Sequence, residues 1–165
     1  MIYFILSSIM LTSVLVGYKI SKKYNNRYVF YNNLVKFADI LNLNIYHLNE
    51  NIDEIFNKFI EELDNISKID FNKIRNMILK NVVTIDNLKS LNMTTNLSNN
   101  EIKEFYEFIK KLGNCNTESQ IHIIDGYKKV FEERKNLAVI DKKQKGNIAL
   151  RLSVSIGVVL CIIIL

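Results

Sequence analysis

The side chains best suited to chemistry are few and scattered. His47 and His122 are the only histidines, and neither has a second histidine or a cysteine at metal-ligand spacing on one helix face. Of the two cysteines, Cys161 lies inside a C-terminal apolar run, so Cys115 is not expected to reach it in a disulfide. The acidic pairs Glu61–Glu62 and Glu132–Glu133 are adjacent in sequence. On a helix they point about 100° apart, which describes a solvated face rather than a paired acid and base. The five glycines stand alone at 17, 113, 126, 146 and 157, so there is no phosphate-cradling loop. Neither G-x-S-x-G nor H-E-x-x-H occurs. These residues do not assemble a catalytic, cofactor or metal site, and the expectation is a protein that is not an enzyme and works by binding.

What such a binding protein needs is a scaffold, and the chain supplies helices. Proline is absent and glycine scarce among 165 residues, so the turns of a sandwich or barrel are missing. The abundance of Asn, Ile and Lys reads as AT-rich coding rather than as a functional signature. Val29, Phe30, Leu34, Phe37, Ala38, Leu41 and Ile45 recur at helical intervals, with Arg27, Asn32 and Lys36 between them. Asn51 and Glu54 form a variant capping box before the stripe Ile52, Ile55, Phe56, Phe59, Ile60 and Leu63. A third helix is expected from about Asp70, carrying Phe71, Ile74, Ile78 and Val82, with short helical pieces over Ile85 to Leu91. Ser98 and Glu101 match the S-x-x-E capping box ahead of Ile102, Phe105, Tyr106, Ile109 and Leu112, and Gly113 supplies a stop. A last helix from Asn116 or Thr117 puts Ile124, Tyr127, Phe131 and Ala138 on a heptad-like line and runs toward Gly146. The expected fold is all-α, an antiparallel bundle of about four to six helices between two transmembrane helices.

The membrane assignment comes from the two ends. Residues 1–18 carry no charged side chain and span about 27 Å as a helix, against a hydrocarbon core of ~30 Å. A signal peptide wants basic residues before its apolar run; here Lys19, Lys22, Lys23 and Arg27 follow it, and no small-x-small cleavage site appears. Leu152 to Leu165 is shorter, in a range shared with buried core helices. Ile148, Ala149 and Leu150 extend it if Arg151 snorkels, and it has no polar face. The expected division is a first span over 1–20, a soluble helical domain over 21–145 and a second span over 146–165. Ser13 with Gly17, and Ser153 with Gly157, are small-x-x-x-small spacings that suit close helix approach. Lys142, Lys143, Lys145 and Arg151 flank the second span as the N-terminal cluster flanks the first. Basic flanks stay cytoplasmic, so the domain is expected in the cytoplasm and both termini across the membrane. The net charge of +5 is concentrated at these edges, which favours membrane lipid over nucleic acid as partner.

In this order of features the chain resembles the stage III sporulation protein AB family across most of its length. The stretch Leu112-Gly113-x-x-Asn116-x-x-x-Gln120 is similar to the family's Leu-Gly-x-x-Asp-x-x-x-Gln, Arg27 matches an arginine in its charged start, and Leu41 to Leu48 resembles the element before its second helix. Asn116 stands where the family has aspartate, Asn42 and Asn44 where it tends to have glutamates, and a proline common soon after is missing. The motif Leu112, Gly113, Asn116 and Gln120 reads either as a joint, Gly113 ending one helix and Asn116 capping the next, or as a docking surface. The resemblance implies a platform subunit of the complex linking mother cell and forespore, similar in part to the inner-membrane platform of type II secretion. It implies location in the mother-cell membrane, other stage III channel subunits as partners, a secretion-type ATPase among them, and a possible homo-oligomer. The alternatives are an unrelated membrane-tethered helical adaptor for a cytoplasmic protein, and a membrane-remodelling protein.

Overall fold

The computed structural model describes residues 2–47, 51–94, 96–112 and 117–164. Their order is α1 (Ile2–His47), α2 (Ile52–Glu61), α3 (Asn65–Leu79), α4 (Ile85–Lys89), α5 (Asn99–Lys111), α6 (Thr117–Asp141), a π-helical turn (Lys142–Gly146) and α7 (Asn147–Ile164). The fold is all-α, as the spacing predicts, and no strand occurs among the described residues.

Two long arms dominate it. With no proline to break it, α1 runs unbroken from the apolar end through the polar middle, about 69 Å at ~1.5 Å per residue. α6, the π turn and α7 return alongside it as a second arm of similar length. The arms are antiparallel: Asn42 Nδ2 donates to Asp125 at 2.6 Å near one end, and Gly17 lies against Ser153 near the other.

The shorter helices α2 to α5 complete the bundle over the polar half. Phe37 on α1 is fully buried, with its ring 4.4 Å from Phe56, 5.1 Å from Phe59 and 6.2 Å from Phe71. A second group joins Phe30 to Phe105 at 5.1 Å and Phe108 to Phe131 at 5.1 Å, both edge-to-face. The apolar stripes read from α1, α2, α5 and α6 thus meet in one core. Beyond it the apolar arm ends are bare, with Phe4 85% and Ile163 73% exposed. Both arms contain a stretch long and apolar enough to cross a membrane.

Two local expectations need correcting. α3 begins at Asn65, because Asp64 accepts N–H bonds from Ile66 and Ser67 at 3.3 and 3.4 Å and also takes the Ser67 hydroxyl. Asp70 is instead a buried mid-helix residue, 1% exposed, that receives the Asn92 and Met93 N–H groups and ties down the turn after α4. The helix ends at Leu79 before Asn81 turns left-handed, so Val82 lies outside it. Asn51 does sit at the cap position of α2, but its side chain makes no capping bond. Asp64→Ala is expected to cost about 1 kcal/mol, the usual loss of a side-chain cap, read as a lower denaturation midpoint at unchanged slope.

Candidate functional site

Where the arms leave the apolar region, charge is gathered rather than solvated. Arg27 is an outward residue by spacing on α1, yet its side chain is only 15% exposed. Its Nη2 donates to Glu101 Oε1 at 2.8 Å and its Nη1 to Asp141 Oδ2 at 2.6 Å. One guanidinium therefore joins α1 to the first turn of α5 and the last residue of α6. Tyr31, one turn further along α1, donates its hydroxyl to the same Glu101 oxygen at 2.8 Å.

Glu101 also closes the capping box that the sequence announces. Its Oε2 accepts from the Ser98 N–H and hydroxyl at 2.8 Å each, while its own N–H donates to Ser98 Oγ. Burial pushes the Glu101 carboxyl up, but the Ser98 N–H, Arg27 and Tyr31 together outweigh it and hold it below the ordinary range. For Arg27, burial favours the neutral form, and the Glu101 bond and charge overcome it, so the guanidinium is held more firmly protonated. Burial first, and then the neighbouring carboxylate, push the Tyr31 phenol far up, which keeps it a donor. These side chains bond one another across three helices, so the cluster acts as a strut.

Asp141 is shared. Its second oxygen accepts from Lys145 Nζ at 2.7 Å across the π turn. Lys142 lies with its ammonium 4.8 Å from the centre of the Tyr28 ring. Lys19, Lys22, Lys23, Lys143 and Arg151 are exposed around the same level, so the basic collar read from sequence encircles both arms.

Below the collar the small residues interlock. A Cβ on Gly17 would collide with the Ser153 side chain, and one on Gly157 would come within 3.0 Å of Ser13 and Met10. The Ser13 hydroxyl donates to the Ser153 carbonyl, and Cys161 Sγ approaches the Leu6 carbonyl at 3.6 Å. Both small-x-x-x-small spacings thus serve one seam within the chain.

The other motif residues lie elsewhere. Leu112 is buried at the far end of α5, eleven residues past Glu101 and therefore about 16 Å from the strut. Gln120 is buried near the start of α6. Gly113 and Asn116, like Cys115, lie outside the described residues. The structure therefore separates Arg27 from the Leu112–Gln120 stretch.

The model of one protein family, stage III sporulation protein AB, matches residues 3–165. The chain belongs to the stage III sporulation protein AB family. Neither a curated protein nor a solved structure matches it. The match spans both arms, so the strut and the glycine seam lie within the part shared with the stage III sporulation protein AB family, whose role is in stage III of sporulation.

Proposed function

We propose that the chain is a non-enzymatic platform subunit of the transenvelope complex between mother cell and forespore. Its arms enter the mother-cell membrane as two spans, over 1–20 and 146–165. The helical domain over 21–145 stands in the cytoplasm, and both termini lie on the far side. The observation that carries this reading is the strut: Arg27 fastens α5 and α6 to α1 where the apolar arms begin. A domain fixed to its own anchors in this way presents a fixed surface to partners. Support for the orientation comes from the lysines, which border the domain side of both arms. Other stage III channel subunits are the proposed partners, with a secretion-type ATPase to supply the energy this chain has no machinery to provide; the family resemblance supports that choice.

The test is a cross-linking pull-down of the tagged full-length chain from sporulating cells, with an Asn76→Cys variant, its Cys115 and Cys161 replaced by serine, labelled in parallel. Asn76 is exposed on the helical domain. The expected result is recovery of the ATPase and further small membrane proteins, with the introduced thiol reactive only to membrane-permeant reagent. Labelling by an impermeant reagent in intact cells overturns the topology, and absence of any stage III subunit overturns the platform reading.

A further inference from the structure

The buried positions of the second arm change phase at the π turn. Ile124, Phe131 and Ala138 are buried at intervals of seven, Phe131 with its ring 6.4 Å from Tyr31 of α1, and Gly146 and Ser153, followed by Gly157, are buried against α1 at the same interval. Between Ala138 and Gly146 the interval is eight. A plain α-helix would carry Gly146 about 100° off the seam, since each residue turns the helix by that amount. A π turn accommodates one extra residue, and Lys142–Gly146 is where the misfit is absorbed. α1 needs no such correction, because Gly17, Tyr24, Tyr31, Ala38 and Ile45 follow one another at sevens.

The geometry points to a rotational joint. The turn can relax to α-helix, which swings α7 by about one residue's rotation and brings Leu152 and Ile156 toward α1 in place of Ser153 and Gly157. Both the leucine and the isoleucine are now 56% exposed. Two things hold the π form. Gly17 accepts only a small partner, so the seam favours Ser153 over Leu152. Asp141, at the head of the turn, is gripped by Arg27 from α1 and by Lys145 from within the turn, while Gly146 at its foot packs on Ser21 and Tyr24. The charged strut is thus also the catch of the joint. The joint is a property of this chain alone and stands or falls apart from the platform role.

The test reads the seam by disulfide formation in the full-length chain, reconstituted in phospholipid vesicles with Cys115 and Cys161 replaced by serine. Ser13→Cys is combined with Gly157→Cys to report the π register, or with Ile156→Cys to report the α register, and each pair is oxidised with copper phenanthroline. With Asp141 intact the 13–157 product dominates. Asp141→Asn removes the charge that Arg27 and Lys145 grip, and is expected to raise the ratio of 13–156 to 13–157 by roughly fivefold or more. Deleting Lys143 removes the extra residue, so the 13–157 product persists and Asp141→Asn no longer changes the ratio. An unchanged ratio in Asp141→Asn overturns the joint, as does loss of both products together, which would mean that the arms part rather than turn. A shift to 13–156 on deleting Lys143 overturns the phase argument itself.

Discussion

Replacing Glu101 with alanine is expected to destabilise the chain by about 3–5 kcal/mol, the usual result of removing one partner from a buried ion pair. The glutamate side chain is 6% exposed and its Arg27 partner 15%, so solvent replaces little of what is lost. Arg27 keeps Asp141, but the Tyr31 hydroxyl loses its acceptor, and the Ser98 box that starts α5 is undone. Glu101→Gln retains an acceptor and gives up the charge, so a smaller loss of about 1–3 kcal/mol is expected. Chemical denaturation of the detergent-solubilised chain, followed by circular dichroism, ranks the two. The pH dependence has a definite sign. Because the folded Glu101 carboxyl titrates below its unfolded value, its contribution is full above the ordinary carboxylate range. It fades as the pH falls through the lowered value. Wild type should therefore lose stability on acidification more steeply than Glu101→Gln, and equal slopes would show that the carboxylate is not held as described.

Gly17→Leu carries the second large effect. Its side chain has no room beside Ser153, and the Ala149 carbonyl lies 3.3 Å from where a Cβ would stand. Overpacking of this kind costs about 1–3 kcal/mol where neighbours can shift, and here the neighbour is a helix backbone. The expected result is separation of the apolar arms and failure to complement a deletion strain during sporulation. A size exchange offers the control: Gly17→Ala alone should be impaired, and Gly17→Ala combined with Ser153→Gly should recover. Recovery marks the contact between these two positions as the cause, through a coupling that distant sites do not show. If the single and double variants behave alike, the seam is not where the arms meet.

Much of the bundle is legible in the sequence because it is written in local spacing. The Ser98–Glu101 box, the stripe of α2, and the line from Ile124 to Ala138 each follow from residues within one helix. The strut could not be read that way. Arg27 is separated from Glu101 by 74 positions and from Asp141 by 114, and on its own helix it resembles any interleaved surface charge. Spacing identifies Glu101 as a cap; it does not reveal the second oxygen aimed at α1. The difference between the expected and observed starts of α3 has a related cause. Ile66 and Ile69 in its first turns are exposed, so the apolar stripe begins only at Phe71 although the cap lies at Asp64. The phase slip in the second arm was present as an interval of eight, but it signifies only once the seam residues on α1 are known. Of the Leu112–Gln120 motif, spacing alone fits a joint between helices more readily than a docking surface, and its described members are the two buried edges, Leu112 and Gln120.

The unbroken course of α1 has a mechanical corollary. A rod with no swivel at the headgroups must lean as a whole, so in the proposed arrangement a thinner bilayer that tips the span also tips the cytoplasmic domain above it. With more than half of its length outside the lipid, the rod magnifies any such lean into a larger sideways travel of its far tip. Lipid thickness thereby becomes a means of aiming the distal surface.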